Sequence, residues 1–394
     1  MHNKETKICQ SSEILLLQVI FASAVCAPIF YISPAYFCDR KKESEILIRE
    51  VTNGNNIAII STRRMGKTGL IQHCFQNKEI QKHYYTFFID IYASKSLRDF
   101  VFALSKEILE GLKPAGKKAL QAFWESVKSL QTSLTFDING TPSLNLGLGD
   151  IQAPPTTLDE IFQYLNRADK PCLVAIDEFQ QIAGYVEDNV EATLRTYVQR
   201  CNNAHFIFAG SQRHVMGNMF LTASRPFYQS VSIMHLESIP LTDYTSFAQR
   251  HFNEAGKSIT NETIETIYHQ FDGITWYMQK VLHTLYDMTA QDTICEVKMV
   301  SEAIRQIIDS FKYTYSEILF RLPEKQKELL IAITKEGKAQ AITSGAFIKK
   351  YKLSSSSSVQ SALKGLLEKD FVTQEQGTYQ IYDQFLGIWL KENY

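Results

Sequence analysis

The sequence predicts an α/β protein: a doubly wound, mainly parallel sheet, then a helical region, then a C-terminal winged helix. Three observations carry this. A short, wholly apolar run at 57–60 leads into Gly66, Lys67 and Thr68 and on into a helical pattern. A second apolar run, 172–176, ends in Asp177 and Glu178. From about Leu319 the pattern reads helix, helix, helix, hairpin.

Composition narrows the class. A chain of 394 residues predicts two or three domains, each able to bury a core. Apolar content of 45% with 21% charged residues excludes a disordered, collagen-like or disulfide-scaffold protein. A net charge of −1 excludes a globally basic protein held on nucleic acid by bulk electrostatics, while leaving room for a local basic patch. The seven cysteines are scattered, odd in number and without a CxxC pair, which argues for reduced thiols in a cytosol and against a zinc site.

The N-terminal segment 1–30 stands apart. Residues 14–25 are apolar, preceded by Lys4 and Lys7 and followed by Pro28, a pattern like that of a secretory signal peptide. The run contains Gln18 and is too short for a good membrane span. A buried helix or an upstream extension outside the working protein are the plainer readings. The downstream chain reads as a nucleotide-using cytosolic machine, so a cytoplasmic location with no stable membrane partner is expected.

The first core strand, 57–60, has the continuous apolar character of a strand buried on both faces. The loop Arg63, Arg64, Met65, Gly66 follows, and then Lys67, Thr68 and Gly69 open a helix with Leu70, Ile71, Cys74 and Phe75 at helical spacing. Strand, loop and helix is the context of a P-loop. Its backbone N–H groups and helix N-terminus can surround phosphate oxygens; Lys67 supplies a cation to them and Thr68 a hydroxyl to Mg²⁺. The full pattern G-x-x-x-x-G-K-[ST] asks for glycine at position 61, where this chain has Ser61. The second strand supplies the acidic partner: Asp177 is placed to hold Mg²⁺ and Glu178 to polarise the attacking water. Together they predict a P-loop NTPase site for ATP or GTP.

Further strands are expected at 85–91, 205–209 and 231–236, with helices between them. Thr157 to Glu160 reads as a capping box opening a helix whose apolar face is Leu158, Ile161, Phe162 and Leu165. Ser211, Gln212 and Arg213, at the tip of the 205–209 strand, are candidates to sense the γ-phosphate, with an ordinary strand-ending turn as the alternative. The insert 133–155 alternates around Asn139 and Gly140 and reads as a hairpin followed by a Pro-rich connection.

These landmarks, in order, resemble the prokaryotic AAA-type ATPases of the archaeal-ATPase family, close to the STAND class of signalling NTPases. They are YFCDR at 36–40 with Glu43, STRRMGKT at 61–68, AIDEFQQ at 175–181, FAGSQ at 208–212, RPFY at 225–228, GITWYMQ at 273–279 and YDQFLGIW at 382–389. The resemblance runs from about Ser33 to the C-terminus. It implies ATP rather than GTP, in keeping with the lack of a guanine-reading N/T-K-x-D element after the acidic strand. It places Phe37 and Arg40 near adenine and ribose; from the residues alone, Phe37 offers a stacking face, and Arg40 either a donor or a surface pair with Glu43 or Glu45. It also gives Arg63 and Arg64 a role toward phosphate or a neighbouring subunit, with a homo-oligomer as an expected partner.

Three departures from the family pattern stand out: Thr62 where proline is usual, Thr275 in place of the proline of a G-x-P-x-x-L-Q run, and no arginine in the run after Pro226, where Arg225 is the candidate substitute.

The resemblance makes the helices of 241–318 a small lid. Leu241, Phe247, Ala248 and Phe252 suggest one of them; Ile264, Ile267, Tyr268 and Phe271 a second; Val281, Leu282 and Leu285 a third. The ATPase domain is accordingly expected at 31–240 and the winged helix at 319–394. Over 321–394 there are 11 Lys+Arg and 8 Asp+Glu, a small excess, and the expected wing carries Glu375 and no basic residue. The resemblance to STAND-like proteins implies a winged helix that acts first as an intramolecular switch, with contact to DNA or a protein partner as the alternative.

Overall fold

In the computed structural model, the described residues are 37–38, 40–136, 142–144, 147–375 and 377–394. The readings made at 14–25, at Tyr36 and Asp39, at Asn139 and Gly140, and at Gln376 lie outside them.

Five strands form the central sheet: β1 (Ile57–Ile60), β2 (Tyr85–Asp90), β3 (Cys172–Asp177), β4 (Ala204–Gly210) and β5 (Ser232–His235). Their spatial order is β2–β3–β4–β1–β5 and every pairing is parallel. Alternate residues of β1 feed opposite faces, as the pleat requires. Ala58 and Ile60 join the larger core with Phe87, Val174 and Phe208, while Ile57 and Ile59 join a second core with Leu70, Ile71 and Ala175. Both faces are covered, which is why these strands read as unbroken apolar runs. Because β4 lies between β1 and β3, the C-terminal ends of all three open at one edge of the sheet, where parallel α/β proteins build their sites.

The chain divides into two compact units. One comprises the described residues up to Phe247 together with Ile274–Tyr277; the other comprises Ala248–Gly273 and Met278–Tyr394. In the first, the helix Leu97–Leu112 packs on β2. The expected capping box at Thr157 is corrected: the helix starts a turn earlier, spanning Pro154–Arg167 with Ala153 at its N-cap. Proline suits that opening position because it has no N–H to leave unpaired. Thr157 is then inside the first turn, its hydroxyl bonded to Ala153 O at 3.2 Å, and Glu160 accepts from Ser129 N and Oγ at 2.9 and 2.6 Å. The residues that look like a cap instead tie down the 3-10 turn Lys128–Ser133. The strands Leu134–Phe136 and Pro142–Leu144 pair antiparallel, as the hairpin reading expects.

The second unit contains the helices Asn261–Gln270 and Lys298–Arg321 and the C-terminal domain. That domain has helices Glu324–Glu336, Gly345–Tyr351 and Ser356–Glu368, and a hairpin of Val372–Glu375 with Thr378–Ile381. Ser344 and Ser355 cap the second and third helices, accepting from Phe347 N and Ser358 N at 3.2 Å each. Within this domain, two elements were not read from the sequence: the strand Ala339–Gln340, which extends the wing sheet beside Thr378–Ile381, and the closing helix Gln384–Asn393. That helix packs on Lys298–Arg321, with the Tyr315 and Trp389 rings 5.8 Å apart. The described cysteines, Cys38, Cys74, Cys172, Cys201 and Cys295, are all buried. Among the described residues no helix is long and apolar enough to cross a membrane.

Candidate functional site

Beyond β1, Ser61–Gly66 form the loop and Lys67–Phe75 the helix. Arg64 at φ +68° and Gly66 at φ +90° bring the chain back over the helix start. Glycine takes that conformation without strain, whereas Arg64 is held there by its surroundings. No side chain caps the helix, so its positive end and first amides face outward from the sheet edge.

Lys67 is only 6% exposed. Its Nζ donates to Thr62 O at 3.2 Å, Ser61 Oγ at 3.3 Å and Ser61 O at 3.5 Å, all neutral acceptors. Burial lowers its pKa, opposed by the charges of Asp177 and Glu178. Ser61, where the full loop pattern has glycine, thus supplies the lysine with two oxygens. Asp177 is also 6% exposed; it accepts from Thr68 Oγ1 at 2.7 Å on one oxygen and from Glu178 N at 2.9 Å on the other. Burial is the largest influence on its pKa and raises it. The hydroxyl and carboxylate are therefore adjacent at the helix N-terminus, the oxygen donor set that Mg²⁺ takes. The buried ammonium beside them has uncharged partners and suits a phosphate. These residues fit a Mg²⁺-nucleotide.

Glu178 leaves β3 in the left-handed region, at φ +57°. Its Oε2 accepts from Ser211 Oγ at 2.7 Å and from Gln180 Nε2. Arg63 Nε donates to Ser211 Oγ at 3.2 Å, which links the loop to the tip of β4, and the Arg63 guanidinium lies 5.5 Å from the Tyr92 ring centroid. Gln212 is one residue further on, at the N-cap position of Arg213–Leu221, where its side chain makes no capping hydrogen bond.

The residues expected around the base occupy two places. Phe37 stacks on His73 of the loop's own helix, with ring centroids 4.1 Å apart and planes within 7°, and lies 3.9 Å from where a Gly69 Cβ would be. Arg40 is 2% exposed and does pair with Glu43, at 2.9 Å, but the guanidinium is buried while the carboxylate stays half-buried at the surface. Its Nη2 donates to Met65 O at 2.8 Å and Glu237 O at 2.9 Å, so it holds the loop's backbone.

Two contributions are not legible in the sequence. One is Gln180, within the AIDEFQQ run, whose amide meets Glu178 only in the folded chain. The head of the helix Thr275–Met288 meets the loop: Trp276 N donates to Arg64 O at 3.1 Å, Thr275 Oγ1 to Met65 O at 3.3 Å, and the Arg64 guanidinium lies 4.2 Å from the Trp276 ring centroid while bonding to Tyr277 Oη. Spacing carries no signal for this, since the partners are about two hundred residues apart. Arg225, the candidate replacement for the missing family arginine, is paired with Glu191.

Comparison with known proteins agrees with the geometry. Among solved structures, the chain is similar to a Walker-type ATPase of Pyrococcus abyssi (17% identity, 91% of this chain and 97% of that one, TM-score 0.61). It is similar as well to the ORC2 protein of Aeropyrum pernix in ADPNP–ADP complexes (14%, 94% and 96%, TM-score 0.58) and to the ORC1 protein of the same organism in complex with DNA (10%, 94% and 96%, TM-score 0.53). At these identities the likeness is one of fold. No curated protein matches the chain in sequence. Residues 313–392 match a probable winged helix domain. Residues 37–281, well over half of the chain, match the ATPase domain found predominantly in Archaea, and the chain belongs to that ATPase family.

Proposed function

We propose that the protein is a Mg²⁺-dependent ATP hydrolase whose turnover drives an AAA/STAND-like conformational switch. The observation that carries this is the meeting of Lys67, Thr68, Asp177 and Glu178 at the ends of β1 and β3, with Thr68 Oγ1 2.7 Å from the Asp177 carboxylate. Lys67 and the amides from Arg63 to Gly69 bind and orient the β- and γ-phosphates. Thr68 and Asp177 hold the metal, which when bound neutralises the charge that builds up on the transferring phosphate. Glu178 takes the proton of the attacking water, and Ser211, with Gln212 behind it, responds to the γ-phosphate. Catalysis of this kind is mostly positioning and charge neutralisation. Phe37 offers its ring to the adenine, and Arg40 acts on the nucleotide through the Met65 carbonyl that it holds.

The switch reading draws support from the helix Thr275–Met288: its first turn, Thr275–Tyr277, groups with the nucleotide-binding unit, and the residues from Met278 onward with the other. The alternative is a DNA-associated regulator with structural or very slowly hydrolysed ATP. It draws less support, because three of the lysines on the second and third helices of the winged helix and just beyond them are engaged with their own domain. Lys350 pairs with Glu336 at 2.7 Å, Lys364 lies 3.9 Å from Glu368, and Lys369 donates to Gln326 at 3.0 Å. A homo-oligomer remains part of the proposal, as does a cytoplasmic location.

Steady-state ATP turnover and ATP binding in wild type, Lys67→Ala and Glu178→Gln test the reading. Lys67→Ala is expected to lose binding, and Glu178→Gln to keep it while turnover falls by about 10²-fold or more. Turnover that rises with protein concentration supports the oligomer, and stimulation by duplex DNA favours the alternative. Wild-type protein that binds no ATP overturns the proposal.

A further inference from the structure

Both side-chain hydrogen bonds to the Glu178 carboxylate end on a single oxygen, Oε2. Ser211 Oγ donates to it at 2.7 Å, and Gln180 Nε2 donates to the same atom. Gln180 Nε2 is also 3.4 Å from Ser211 Oγ. Gln180 lies in the 3-10 turn Phe179–Gly184 that follows β3 and is 4% exposed, which is unusual for an amide side chain. Its own Oε1 is buried and accepts no hydrogen bond. An unpaired buried amide oxygen costs stability, so packing alone does not call for glutamine here. A methionine fills similar space without that cost. What the glutamine adds is an N–H aimed at Glu178.

Gly210, the last residue of β4, keeps the space for this contact. A Cβ at that position would come within 2.6 Å of Gln180 Oε1 and 2.4 Å of Met216 Sδ. The backbone there needs no left-handed conformation, so the reason for glycine is steric.

We infer that Gln180 is a positioning residue for hydrolysis, fixing Glu178 through Oε2 so that Oε1 is the atom that takes the proton from water. The inference rests on the reading of Glu178 as the general base. In the step it serves, the water oxygen forms a bond to the γ-phosphorus and the bond from that phosphorus to the β–γ bridging oxygen breaks. The water proton passes to Glu178 Oε1, and the departing diphosphate keeps the electron pair.

The test is kcat, KM and the affinity for a non-hydrolysable ATP analogue for wild type, Gln180→Met, Gly210→Ala and Glu178→Gln in the full-length protein. Gln180→Met is expected to lower kcat by about tenfold, the effect of losing one hydrogen bond to a charged group. KM and analogue affinity should stay within about twofold, since the interaction serves the hydrolytic step and not binding. Gly210→Ala displaces Gln180 without altering it and should reproduce the fall in kcat at unchanged KM, so the inference does not depend on the folding of one variant. An unchanged kcat in Gln180→Met, with Glu178→Gln inactive, overturns it. So does a fall in kcat accompanied by a raised KM or weakened analogue binding, which marks a merely structural residue. Wild-type turnover in Glu178→Gln instead removes the reading of Glu178 itself.

Discussion

Asp177 carries a conflict between stability and function. Its carboxylate is desolvated beside Thr68, and burial outweighs the nearby Lys67 charge in raising its pKa. The native state therefore keeps the proton over a pH range in which the unfolded chain has released it. Stability is lost as the pH rises through the folded pKa, because a charge is then being held in a poorly solvated place. Asp177→Asn keeps the shape and can keep both hydrogen bonds, with Oδ1 toward Glu178 N and the amide toward Thr68. It is expected to raise the melting temperature of the nucleotide-free protein by a few degrees, at about 2–4 °C per kcal/mol for a domain of this size. The gain should be present at neutral pH and vanish below about pH 4, where the acid is protonated in both states. The same variant should lose Mg²⁺-dependent ATP binding. Melting curves across pH check the first claim and nucleotide titration with and without Mg²⁺ the second; a variant that melts below wild type at pH 7 contradicts the account.

At the level of elements, the helix Leu97–Leu112 shows how packing decides a residue that propensity would reject. Gly111 is in its last turn, where alanine is the better helix former by about 0.5–1 kcal/mol. An added Cβ would come within 2.7 Å of Phe87 Cδ1 and 3.1 Å of Thr86 O, both on β2. Phe87 is buried and the carbonyl belongs to a sheet strand, so neither can move aside cheaply. Gly111→Ala is expected to destabilise the protein by about 1–3 kcal/mol, despite its better propensity. Chemical denaturation checks this, and a stabilised variant contradicts the close helix–sheet approach. The Thr157–Glu160 segment teaches the same lesson. Its residue types match a cap, but the proline before it starts the helix earlier, and a 3-10 turn from outside the helix claims Glu160.

At the scale of the whole molecule, the nucleotide-binding unit is not a continuous stretch of chain, for it takes in Ile274–Tyr277. Through this segment Trp276 and Thr275 hold the carbonyls of Arg64 and Met65, and the two aromatic rings receive the Arg64 guanidinium. A cation–π contact of this sort is worth about 0.5–2 kcal/mol. Trp276→Ala in the full chain should therefore weaken ATP binding by about three- to tenfold with the fold intact, measured by titration with a non-hydrolysable analogue. An unchanged affinity would show that the contact does not support the loop.

Much of this architecture was legible in the sequence because its signals are local. Apolar runs mark strands that are buried on both faces, Gly66-Lys67-Thr68 marks the turn into a helix, and Asp177-Glu178 marks the end of a core strand. The helix and hairpin order of the C-terminal domain follows from periodicity and from Ser344, Ser355 and Gly377. Residues at fixed short spacing report the backbone conformation that joins them. What only the tertiary structure decided are the meetings across the chain: Arg40 on the Met65 carbonyl, Gln180 with Ser211 on one oxygen of Glu178, the Glu191–Arg225 pair, and Trp276 on Arg64. No spacing rule foretells such pairs, because their geometry is set by the order β2–β3–β4–β1–β5, which places β4 between the two motif-bearing strands. The sequence names the groups that meet phosphate and metal; the strand order decides which neighbours hold them in place.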